Sequence, residues 1–199
     1  MTIIDTHIRK IENALNEDGH AMWLAIQGAS DQEIGRLLES YPWCPATLID
    51  LLRKIGGTYH RRYPAGYVAQ PIFGSDVGED FGYYLLSCDD MLKERTYSET
   101  LVERYGDLLD APDIVDIAPE IDIHTPMSQW LCFAHCINNG GTSMLYVDVT
   151  PTDKGTVGQV VRYLHDPDSY VVLAPSFEQY MVQLTQRGYA YVSDEEIED

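Results

Sequence analysis

The residues whose types and spacing could do chemistry are few, and the densest group is Cys132-Phe133-Ala134-His135-Cys136. On a helix Cys132 and Cys136 would share a face with His135 one position off it, and thiolate and imidazole are zinc ligands. A structural zinc site wants four such ligands around a tetrahedron. This cluster supplies at most three, and only His124 or Cys88 is at hand to complete it. Core thiols packed among Trp130, Leu131 and Phe133 are the simpler reading, so no metal is expected. The turn Asp76-Val77-Gly78-Glu79-Asp80 carries oxygen ligands but lacks the spacing of a calcium loop. Ser143 and Ser176 have no evident histidine partner. Neither a Gly-x-Ser-x-Gly elbow nor a phosphate-binding glycine loop with its lysine is present. The sequence therefore predicts no catalytic residue and no cofactor, and reads as a protein that is not an enzyme.

What remains is charge. Thirteen Lys and Arg stand against 32 Asp and Glu, for a formal net charge of −19. Such a chain repels a polyanion over most of its surface, which excludes an ordinary nucleic-acid binder. His60-Arg61-Arg62-Tyr63, the one local basic cluster, reads as a surface turn or an internal partner for acids. Two segments concentrate the negative charge. One is the loop bearing Asp76, Glu79 and Asp80; the other is the lysine- and arginine-free stretch 107–122, from which Asp110, Asp113 and Asp116 stand out. A dense acidic face can be steered onto a basic partner protein, with association that slows as salt rises. Solvation alone also accounts for charge runs of this kind.

The elements that must hold these residues can be read from periodicity. Ile4, Ile8, Ile11 and Leu15 predict a helix over about 6–16, stopped by Asn16-Glu17-Asp18-Gly19; Ala21 to Ile26 is strand or buried helix. Ser30 and Glu33 have the spacing of a capping box and open a helix at about 31–40. Tyr41-Pro42-Trp43-Cys44-Pro45 is a corner, and a second helix over about 46–55 ends at Gly56-Gly57. Tyr67 to Phe73 and Tyr83 to Ser87 predict a β-hairpin around the acidic glycine loop, and Asp89 to Leu109 returns to helical spacing. Residues 107–122, broken by Pro112 and Pro119, read as an exposed connection. Three β-rich runs, 140–149, 155–163 and 169–173, predict consecutive antiparallel strands before a last helix carrying Phe177, Tyr180, Met181 and Leu184. Segregated helices and strands imply an α+β fold with a largely antiparallel sheet.

Several of these segments, taken in order, resemble the SUKH superfamily, which joins a yeast cell-wall-assembly regulator with bacterial immunity proteins. They are Glu39-Ser40-Tyr41-Pro42, the run Leu48 to Gly57, then Gly141, Leu145, Asp148, Pro151, Gly155, Gly158-Gln159-Val160, His165-Asp166 and Leu173 to Phe177. The resemblance covers roughly residues 30–187. It implies a SUKH-like α+β domain without a shared catalytic apparatus, commonly the stoichiometric inhibitor of a toxin that is often a nuclease. The expected partner is then a cognate protein toxin, met by Asp76, Glu79, Asp80, Asp110, Asp113 and Asp116. The eukaryotic relatives imply the alternative of a regulatory protein–protein interaction module. The signature glycines, Phe177 and Gln159 read as structural, with Gln159 expected to be an exposed strand residue bonding a neighbouring loop.

Residues 1–29 would then be a helical extension, 30–188 the domain and 189–199 an acidic tail. The four cysteines are scattered, and the first residues contain no apolar run of signal-peptide length, which predicts reduced thiols in a cytoplasmic protein. No stretch reads as a membrane span. The oligomeric state is left open.

Overall fold

The computed structural model describes residues 1–78, 81–111, 113–136, 142–165 and 167–193, and of Asp110 only the backbone. The first helix, α1 (Ile3–Ala14), starts three residues earlier than the apolar stripe predicts. Thr2 and Asp5 form a capping box there, satisfying backbone N–H groups at the helix start. Asn16 does not merely stop α1; its side chain caps α2 (Glu17–Trp23), which makes the first half of the ambiguous run helix and leaves Leu24–Ile26 outside any regular element. The Ser30–Glu33 capping box opens α3 (Asp31–Ser40) as expected, and α4 (Ala46–Lys54) follows the Tyr41–Pro45 corner. Of the two glycines after α4, Gly57 takes the left-handed conformation, with φ 136°. It also lies where a Cβ would meet the backbone nitrogen of Ser87 at 2.9 Å.

The expected long hairpin divides in two. Arg61–Tyr63 (β1) pairs with Gly66–Val68 (β2), while Phe73–Gly74 (β3) pairs with Gly82–Leu85 (β4). Pro71 stands between β2 and β3 and has no N–H to give a ladder. The helical stretch beyond also divides, into α5 (Cys88–Glu94) and α6 (Leu101–Tyr105), each with its own side-chain cap, and Leu108 faces solvent rather than the core.

The main sheet has seven strands in the order β3-β4-β6-β7-β8-β9-β5. Its members after β4 are β5 (Val115–Ile117), β6 (Leu131–Cys136), β7 (Ser143–Asp148), β8 (Gln159–Leu164) and β9 (Asp168–Ala174). All its pairings are antiparallel except that of β5 with β9. The fold is thus α+β with a mostly antiparallel sheet, and the predicted three-strand meander is β7-β8-β9. The cysteine cluster lies on strand β6, and the supposed connection contains the edge strand β5.

The last helix, α7 (Phe177–Gln186), packs on β8 and β9 and carries α1 and α4 on its outer side. Phe177, Tyr180, Met181 and Leu184 are all buried there. Phe133 stands at the centre of that face, 5.2 Å from the Phe177 ring and 5.6 Å from Phe73 in edge contacts. The opposite face is covered by α5, on which α3 packs, and by α6, whose Tyr105 ring meets Tyr170 of β9. Trp130, Tyr146 and Tyr170 form its aromatic core. The residues ahead of α3 are part of this packing: Ile4, His7 and Ile11 of α1 are fully buried.

Candidate functional site: an acid-rimmed groove at the edge of the sheet

Asp148 ends β7 and is fully buried. Its carboxylate accepts from the Thr150 backbone N–H at 2.8 Å and hydroxyl at 3.2 Å on one oxygen, and from Gln159 Nε2 at 2.9 Å on the other. Burial raises its pKa, while those donors, which favour the charged form, pull it back. Gln159 is buried rather than exposed, although it does bond neighbouring loops. Its Oε1 accepts from the Thr156 N–H at 3.1 Å, and its Nε2 also donates to the carbonyl of Glu120 at 3.3 Å. Thr152 adds two bonds to the same segment, from its N–H to Glu120 O at 3.0 Å and from its hydroxyl to Pro119 O at 2.8 Å. Gly155 lets this loop close in, because a Cβ there would lie 2.7 Å from Glu120 O and 2.5 Å from Pro151 Cβ.

Asp148, Gly155 and Gln159, three of the residues that carry the family resemblance, therefore act together with Thr152 as a clamp. They fasten the acidic connection at Pro119 and Glu120 to the β7–β8 loop, next to β5. Between the clamped segment and β5 lies a groove of about 520 Å³. Leu109, Val115, Ile117 and Ile121 give it an apolar lining, with Asp116, Asp122 and His124 among its polar members. The carboxylate of Asp122 is held by the His124 N–H at 3.0 Å and the Thr125 hydroxyl at 3.1 Å, which fixes the turn at that end.

The predicted acids fall unevenly around this geometry. Asp116 is exposed on the edge strand and lines the groove, and Asp113 is exposed just before β5. Asp110 closes the 3₁₀ turn that follows α6. Asp76 lies elsewhere, in the β3–β4 loop, and is turned onto Arg162 of β8 with oxygens 2.9 and 3.0 Å from Nε. Arg162 has only 6% of its side chain exposed, so Asp76 is the counter-ion of a buried guanidinium. Glu79 and Asp80 lie outside the described residues. Of the basic cluster, Arg61 is paired to Glu33 at 2.9 Å, while His60 and Arg62 are exposed.

Sequence reasoning did not find the apolar lining. Its signal was present in the alternations Val115-Asp116-Ile117 and Ile121-Asp122-Ile123, which place apolar side chains on one face of an otherwise acidic run.

A second convergence lies under α5. Glu94, Cys132 and His135 bring their ligating atoms within 4.8 Å of one another, with Glu94 Oε1 3.6 Å from His135 Nε2. Burial pushes the imidazole down to about 4 and the Cys132 thiol well above its ordinary value; burial and nearby Asp90 raise the Glu94 carboxyl. A thiol held protonated in this way is a poor nucleophile.

These features define the class: a helix-flanked, mostly antiparallel α+β protein whose built surface feature is a groove at a sheet edge. The family model of the SMI1 / KNR4 family (SUKH-1) matches residues 28–183, and the chain belongs to that family. Its members are toxin-immunity or regulatory protein–protein interaction modules and are generally not enzymes. No curated protein matches the chain. Among the described residues no helix is long and apolar enough to cross a membrane.

Proposed function

We propose that this protein is a cytoplasmic immunity-type protein that binds a cognate protein toxin and neutralises it by occlusion, without turning over a substrate. The observation that carries the reading is that Asp148, Gly155 and Gln159, residues of the resemblance, hold the Pro119–Glu120 segment beside an apolar groove whose lining includes Asp116 and Asp122. Asp110, Asp113 and Asp116 are the contact acids of this proposal, with the apolar lining beneath them as the desolvated centre of the interface. Asp76, Glu79 and Asp80 form a second candidate patch, in which Asp76 also serves Arg162. The net charge of −19 supports steering toward a basic surface such as the substrate cleft of a nuclease.

The test is binding to the toxin encoded beside this gene, followed across salt. A stoichiometric complex is expected whose association rate falls about tenfold or more as ionic strength rises from low to several hundred millimolar. Charge reversal at Asp113 and Asp116 together should slow association while leaving the fold intact. A neighbouring toxin that is neither bound nor inhibited overturns the reading. Recovery of a housekeeping assembly in its place would favour the regulatory alternative, although α1 is not a free docking arm for it, its apolar face being buried against α4 and α7.

A further inference from the structure

Strand β6 contains a bulge. Cys132 pairs with Tyr146 and Ala134 with Leu145, so Phe133 is an extra residue. In a regular strand Cys132, Ala134 and Cys136 would share one face. The bulge reverses the alternation after Phe133, and His135, paired with Met144, joins Cys132 on the face that α5 covers. There the last residue of α5, Glu94, meets both. We infer that Glu94, Cys132 and His135 form a binding site for a single borderline-soft divalent cation of the zinc class, with water in the fourth position.

The donor set carries the choice of ion. One sulfur, one imidazole nitrogen and one carboxylate suit zinc, whereas calcium and magnesium take shells of oxygen. Bonds of about 2.0–2.3 Å to a tetrahedral ion put ligand atoms roughly 3.3–3.7 Å apart. Glu94 and His135 already stand at 3.6 Å, and no pair in the cluster exceeds 4.8 Å, so contraction by about an ångström completes the site. His135 is 8% exposed and its buried Nε2 has no hydrogen-bond partner among the described residues, an arrangement that a metal would satisfy. The Tyr59 ring packs edge-on against the imidazole at 5.3 Å and restrains its orientation. Asp90, one turn back on α5, adds negative potential, and Glu94, with a fifth of its side chain exposed, stands on the route from solvent. Binding releases the Cys132 proton to solvent as the thiolate takes the ion, so affinity should rise with pH.

The experiment uses the full chain, stripped by chelator and titrated with cobalt(II), then with zinc. One cobalt per chain is expected, with the visible bands of a tetrahedral ion and a near-ultraviolet thiolate-to-cobalt band, both abolished by zinc. Cys132→Ser should remove the charge-transfer band, and Glu94→Gln and His135→Gln should each weaken binding about tenfold or more. Glu94→Gln, a partly exposed isosteric change, preserves the test if the buried variants do not fold, as circular dichroism will show. Absence of the thiolate band in the wild-type protein overturns the site, and so does zinc binding undiminished by Glu94→Gln, which would assign the ion to surface carboxylates.

Discussion

Asp148 and Gln159 are partners in the register of β7 and β8, and the amide of Gln159 donates to the carboxylate of Asp148 at 2.9 Å in the protein interior. Removing either group costs the other one of its partners. Asp148→Ala leaves the Thr150 donors without their acceptor and the Gln159 amide with Glu120 O alone, and a loss of about 2–4 kcal/mol is expected in urea unfolding. Gln159→Leu should cost a similar amount. The double variant should fall well short of the sum, because the two act as one unit. Additive losses would show that the clamp is two independent contacts.

Gly155→Ala tests the clamp by steric means. The new methyl would fall 2.7 Å from Glu120 O and 2.5 Å from Pro151 Cβ, neither of them the end of a flexible chain. The expected cost is about 1–3 kcal/mol. Faster amide exchange should be confined to residues 118–123 and the β7–β8 loop. A variant as stable as wild type, with unchanged exchange, would mean that the loop yields without strain.

The acids differ in what they do for the fold. Asp76→Asn leaves a guanidinium with 6% exposure short of its counter-ion and should destabilise by about 3–5 kcal/mol. Asp113→Asn, at an exposed position, should stay within about 0.5 kcal/mol. Equal effects in thermal unfolding would remove the distinction between an internal and a surface carboxylate.

Acid should loosen the N-terminal helix. His7 is fully buried against Phe73, with Nδ1 2.8 Å from the Tyr189 hydroxyl, and burial pushes its pKa down from 6.5 to about 4, with Lys10 adding to the shift. Since the unfolded chain takes up the proton first, the stabilisation is complete above the ordinary value and is lost as pH falls from there toward about 4. The slope attributable to this group should approach about 1.4 kcal/mol per pH unit. His7→Gln should flatten that part of the profile, and an unchanged slope would place the acid sensitivity elsewhere.

Much of the fold was legible because it is local. The Ser30–Glu33 box, the apolar face of α7 and the meander β7-β8-β9 depend on neighbours in sequence, and each stands where its pattern puts it. Strand β5 was not legible. Three residues pair in parallel with β9, more than fifty residues on, and nothing within 115–117 announces that partner. The candidate site was half legible: Asp113 and Asp116 were visible as charge, but the groove beside β5 is bordered by a segment that Gln159 and Thr152, far on in sequence, hold at Pro119 and Glu120.

The sequence by itself determined the net charge, the Ser30–Glu33 box, the apolar faces of α3, α4 and α7, and the burial of Cys132 and Cys136 among apolar neighbours. Tertiary structure alone decided which polar groups meet: Asp76 with Arg162, Asp148 with Gln159, and Glu94 with His135. Helix caps and apolar stripes act over a few residues and so leave a mark in the sequence. A strand bulge or a loop closing on a distant carbonyl is selected by the packing of the whole sheet, and its partners carry no mark of each other until the chain has folded.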